Sequence, residues 1–164
     1  MKDTVGLDPR GPLARARTFI LEGLLLSEGA TAETMTREAA DAWLNRWCDV
    51  FAPEVHRSTG FRVHRGIRWH AFSHDFSPHD SGDEALRLYR ARPATDLVIV
   101  DEHARTGLCF TAPDPIDFTS CRSDLYVFPR TELWTMVFTH EQASGLGPCF
   151  RAHRSPDTST KKRN

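Results

Sequence analysis

The sequence has no long hydrophobic run. Its longest strongly apolar stretch, around Phe19 to Leu26, is far short of the roughly 20 residues a membrane helix needs, so no membrane partner is expected. The opening residues, Met1 to Pro12, hold no compact apolar segment behind a positive start and no small-residue cleavage site. No secretory signal is read there. There is no Cys-x-x-Cys pair either: Cys48, Cys109, Cys121 and Cys149 stand far apart. That excludes a zinc ribbon and a dense disulfide scaffold, and it makes a reduced, cytoplasmic setting the expectation. Charge of one sign is also missing, with 21 basic residues against 22 acidic ones. A dedicated nucleic-acid binder carries a clear basic surplus, so no specific nucleic-acid partner is expected. Gly-x-Ser-x-Gly is absent, and Gly145-Leu146-Gly147 lacks the third glycine and the following helix of a dinucleotide site. No cofactor is expected.

What is present suits one domain of ordinary composition, with 164 residues, 40% hydrophobic and 26% charged. Residues 1–12 read as a flexible arm, 13–152 as a single α+β domain and 153–164 as a disordered tail. Leu13 to about Ser27 has helical spacing. After Gly29-Ala30, Thr31 or Thr34 is placed to cap a second helix, in which Met35, Ala39, Trp43, Trp47 and Phe51 recur every four residues until Pro53. Phe61, Val63, Ile67, Trp69 and Ala71 then read as one long strand or two short ones. Ser81-Gly82-Asp83-Glu84 spells a capping box that opens a third helix, with Asp83 and Arg87 as a surface pair.

The remainder reads as antiparallel sheet. Leu97 to Val100 is continuously apolar, like a central strand covered on both faces. Gly107 to Thr111 follows. Leu125–Phe128 and Leu133–Thr139 flank a hairpin turn, and Cys149–Ala152 adds a last strand. The architecture expected is two N-terminal helices packed on a mostly antiparallel sheet with one inserted helix. Trp134, Met136 and Phe138 share one face, and the helix of Trp43 and Trp47 is their expected partner.

Chemistry concentrates in few places. His140-Glu141 follows a strand and precedes a glycine-rich turn, with His70 elsewhere, and these types suit general acid–base work. Strand alternation sends His140 and Glu141 to opposite sides unless the strand twists or ends between them, and His140 is expected nearer the apolar layer. His70, His74, Asp75, His79, Asp80 and Asp83 cluster within fourteen residues. Their spacing fits no compact metal motif, and Phe76, Pro78 and Gly82 argue against a helix presenting His70 and His74 one turn apart, so no metal site is expected. Cys109 and Cys149 read as small buried hydrophobes, with a Cys149–His140 pair as the nucleophilic alternative. Arg57, Arg62, Arg65 and Arg68 form a stretch without acids and are the candidate partner-binding face.

Two stretches carry a family resemblance. Trp69-His70-Ala71-Phe72-Ser73, and Trp134-Thr135-x-Val137-Phe138-Thr139-His140-Glu141 followed by Gly147-Pro148-x-Phe150, resemble a small bacterial family catalogued as domain of unknown function 4275. The likeness covers roughly residues 35–152. Cys149 stands where the family usually has tyrosine, and the stretch from Gln142 to Leu146 is a residue longer than its turn. The resemblance implies a fold and a bacterial origin but no chemistry. Modest size, one domain, no recognisable catalytic or cofactor motif and partitioned charge make the functional expectation a binding protein of immunity or antitoxin type, with a protein such as a toxin as partner. The alternative is a small accessory enzyme using His140, Glu141 and His70 on a small molecule.

Overall fold

The structure, a computed structural model, describes residues 12–54 and 67–153. Helix α1 (Pro12–Ser27) leads to strand β1 (Thr31–Thr34), helix α2 (Arg37–Phe51) and a one-turn helix α3 (His70–Ser73). Strand β2 (Asp80–Ser81) and helix α4 (Gly82–Arg90) precede β3 (Leu97–Asp101), β4 (Gly107–Thr111), β5 (Leu125–Pro129), β6 (Trp134–Phe138) and β7 (Cys149–Ala152). The seven strands form one antiparallel sheet in the order β1-β4-β3-β5-β6-β7-β2. The fold is α+β as expected, and among the described residues no helix is long and apolar enough to cross a membrane.

Alternation along the central strands builds two cores, one on each side of the sheet. Leu125 and Val127 of β5 join Trp134, Met136 and Phe138 of β6 on one face, under Leu21 and Leu25 of α1 and Tyr89 of α4. Tyr126, Phe128 and Val137 point to the other face, against Leu44, Trp47 and Phe51 of α2 and Trp69 and Phe72 of α3. Each buried side chain of this size contributes on the order of 1.5–3 kcal/mol. Leu97 to Val100 serve both cores, so their unbroken apolar run is the mark of a strand covered twice.

Several local expectations are corrected. Trp134, Met136 and Phe138 do not meet the Trp43–Trp47 helix: Tyr89 and Phe118 stack edge-on against Phe138, and Phe150 lies parallel to Trp134. The second helix is capped by Thr36, whose side chain accepts from the Ala39 amide, because Thr31–Thr34 pairs with β4 as an edge strand. Ser81 occupies the N-cap position of α4 without a side-chain cap bond. Glu84, rather than Asp83, pairs with Arg87, at 2.6 Å. Of the strand expected through Phe61 to Ala71, residues 61–66 lie outside the described residues. Trp69 to Phe72 form the start and body of α3, all four buried.

Candidate functional site

Antiparallel pairing brings three loop junctions to one end of the sheet. Asp101 at the end of β3 pairs with Leu125 at the start of β5, and Leu125 pairs with Phe138 at the end of β6. Glu102, Asp124 and the stretch Thr139–Glu141 therefore leave the sheet side by side. The Glu102 amide donates to the Asp124 carbonyl at 3.0 Å, tying two of the junctions together.

Glu102 is the buried anchor of this end. Its carboxylate accepts from the Arg68 amide, from Arg68 Nη1 at 2.9 Å and from the Tyr126 hydroxyl. Tyr126 in turn accepts from the Trp69 amide at 2.9 Å. Burial pushes the Glu102 carboxyl up, while Tyr126 and Arg68 oppose the shift by stabilising the carboxylate. One carboxylate thus fixes where the chain enters α3, and hence where His70 and His74 stand. The His74 amide donates to the His70 carbonyl, and the two rings lie 5.3 Å apart. The pair is one helical turn apart after all, because the helix closes before Phe76 can interrupt it.

Asp124 holds His140. Its Oδ1 accepts from the His140 amide at 2.9 Å and lies 2.8 Å from the ring Nδ1. This contact places a proton on Nδ1 and turns Nε2 outward, 3.5 Å from Glu141 Oε1. The hydrogen bond to Asp124, helped by both carboxylates' charge, raises the His140 pKa against a smaller opposing effect of burial. Strand β6 stops at Phe138, so alternation does not separate His140 from Glu141. His140 is the more exposed of the two, with 46% of its side chain accessible against 36% for Glu141. The expectation that His140 lies nearer the apolar layer is reversed, because Asp124 holds the ring at the rim.

Two clefts meet at Ile67 and His140. One, of about 410 Å³, is lined by His70, Ser73, His74, Glu141 and Leu146. The other, of about 250 Å³, is lined by Asp101, Glu102, His103, Arg122, Ser123 and Asp124. His70, His140 and Glu141 thus border one concavity. His70 is buried, with its Nδ1 2.7 Å from Ser73 Oγ. A larger cleft of about 550 Å³ runs along β7 between Pro53 and Pro78. It is lined by His79, Asp80 and His153 as well as Arg151, which Glu54 engages.

The remaining candidates disperse. Asp80 and Asp83 lie exposed on β2 and α4, and His79 stacks on Phe72. Among the described residues no three His, Cys, Asp or Glu gather closely enough to hold a metal ion. Burial pushes the Cys149 thiol up to about 12, so at neutral pH it carries its proton and is a poor nucleophile. Arg57, Arg62 and Arg65 lie outside the described residues. Arg68 is drawn inward by Glu102 and keeps 24% of its side chain exposed, which leaves it structurally committed. Asp124, Glu102 and Tyr126 were not singled out in the sequence.

No family model matches the chain, and neither a curated protein nor a solved structure matches it. The site's reading rests on its own geometry.

Proposed function

We propose that the concavity around His140 binds a small polar molecule and that His140 exchanges a proton with it, as in a small accessory enzyme. The observation that carries this reading is the Asp124–His140 contact. A carboxylate with 10% of its side chain exposed holds Nδ1 at 2.8 Å, which directs Nε2 to the meeting point of two clefts. A carboxylate that fixes the tautomer and raises the basicity of an imidazole is the arrangement acid–base chemistry uses. Glu141 adds negative charge beside Nε2, and His70 with Ser73 forms the opposite wall.

A panel of small polar metabolites, screened by thermal shift on the parent protein and on His140→Ala, tests the reading. At least one compound should raise the parent's melting temperature and lose that effect in the variant. A panel with no such compound, or a shift that survives in His140→Ala, overturns it. The immunity-type reading keeps one support among the described residues, an apolar outer face on α1. It lies on the side of the sheet opposite α3.

A further inference from the structure

A serine at the end of a helix commonly bonds back to its own backbone. Ser27 does so at the end of α1, where its hydroxyl donates to the Leu24 carbonyl at 2.8 Å. Ser73 ends α3, and its hydroxyl meets an imidazole instead. Its Oγ lies 2.7 Å from Nδ1 of His70, three residues earlier on the same side of the turn. The fully buried Trp69 ring backs the His70 ring, with 4.3 Å between their centroids and 32° between their planes. His70 is buried and Ser73 half-buried, and both line the cleft of about 410 Å³. A hydroxyl within hydrogen-bond reach of an imidazole that packing holds in place is the pairing an activated nucleophile needs.

The opposite wall of the cleft supplies a second proton carrier. His140 borders the same cleft, and Asp124 keeps its Nδ1 protonated, so the ring gives and takes its other proton at Nε2. The apolar part of the lining is the half-buried Ile67 and the exposed Leu146, which suit a short hydrocarbon chain. A cleft of this size takes a small molecule.

We propose that Ser73 is the nucleophile of an acyl-transfer site with His70 as its base, and that the substrate is a small carboxylic ester with a short apolar acyl chain. This assignment rests on the acid–base reading of His140 and gives that site its substrate class. Ser73 Oγ attacks the carbonyl carbon, and its proton passes to His70 Nδ1. The bond to the leaving oxygen breaks as that oxygen takes the proton from His140 Nε2, and the alcohol departs. Water then attacks the acyl-serine and returns a proton to His140, while the Ser73 oxygen leaves with the proton held by His70. Ester and water become acid and alcohol, and both histidines regain their starting state.

An alkyl fluorophosphonate and para-nitrophenyl acetate, each given to the full chain at neutral pH, test it by intact-mass spectrometry, peptide mapping and release of nitrophenol. The fluorophosphonate should label Ser73, and the acetate should be turned over. Ser73→Ala should lose both while its melting temperature stays near the parent's. Ser73→Cys should recover acyl transfer from the acetate, which a purely structural serine would not allow. His140→Ala should keep the label and slow ester turnover by about a hundredfold or more. An unlabelled Ser73, or turnover that survives Ser73→Ala, overturns the proposal and leaves the His140 ligand screen to stand by itself. A labelled Ser73 with undiminished turnover in His140→Ala upholds the nucleophile and overturns the part given to His140.

Discussion

Glu102 receives Arg68 twice, once through the backbone amide and once through the guanidinium at 2.9 Å. The charge and the main chain of one residue are thus held by a single buried carboxylate.

An amide in place of the carboxylate cannot accept through both terminal atoms. Glu102→Gln should therefore cost about 1–3 kcal/mol, the usual penalty for a buried donor left without its acceptor. Because burial raises the folded-state pKa of Glu102, the folded protein holds this proton more readily than the unfolded chain does. The contribution of Glu102 to stability is therefore largest below the ordinary Glu value and falls as pH rises toward the folded-state value. Glu54 works the other way. Partial burial pushes its carboxyl up, but hydrogen bonds from Arg151 and Ser77 hold it down at about 2. Its contribution is present above the ordinary value and is lost as pH falls toward 2. Urea denaturation of the parent and of Glu102→Gln from about pH 4 to 7 checks the first claim. A stability difference that grows with pH would contradict it.

Asp124→Asn keeps an oxygen for the His140 amide but removes the charge beside the ring. The His140 midpoint should drop toward its ordinary value, since the contact with Asp124 is the first cause of its elevation. With its folded-state pKa raised, protonated His140 stabilises the fold below its unfolded pKa, and that help is lost as pH rises through the folded value. An NMR titration of the ring protons reads the midpoint directly. An unchanged midpoint would remove Asp124 from the site.

The two tryptophans of α2 should part company. Trp47 is fully buried, and its Nε1 donates to Thr135 Oγ at 2.8 Å. Trp43 is only partly buried, with Phe128 beside it at 5.7 Å. Trp47→Ala should cost about 3–5 kcal/mol and Trp43→Ala less than half of that. Equal losses in denaturant melts would mean that the helix is rotated from the position described.

Gly147 closes the turn behind His140 with a φ of +103°, and a Cβ there would lie 2.8 Å from Thr139 Oγ and 2.9 Å from its methyl carbon. Thr139 Oγ already donates to the Leu146 carbonyl at 2.5 Å, so it has little room to yield. Gly147→Ala should destabilise by about 1–3 kcal/mol and shift the His140 ring signals, because Thr139 precedes that residue. A variant with parental stability and spectra would show that the turn relaxes freely.

The central strands were legible because burial writes itself into their sequence: Leu97 to Val100 as a run, Trp134 to Phe138 as an alternation. The edge strands were not. Thr31–Thr34 is exposed at all four positions, so it has no pattern of its own and is a strand because β4 offers it a free edge. Trp69 to Phe72 misled for the opposite reason. Four consecutive buried residues have no period, and a single turn is too short to acquire one. His140, Glu141 and His70 were legible as chemical types, but Asp124 and Glu102 looked like the loop acids Asp114 and Asp117. The hydroxyl of Tyr126 was hidden inside an apolar strand. Their roles come from strand ends meeting in space, which spacing along the chain does not encode.

The strand order also governs how the chain must come together as it is made. Strands β1 and β2, the first two synthesised, occupy the two outer edges, and every strand between them is encoded after residue 96. A nascent chain that has emerged only as far as α4 holds both rims of the sheet and none of its centre. Its first helices therefore wait with their apolar faces open until β3 to β7 arrive, and β2 has no neighbour until β7, the last strand, appears. Assembly of the sheet is deferred until β7 has emerged. Such late, long-range pairing folds slowly, and a ribosome stalled before residue 149 would present a chain whose outer strands have nothing to join.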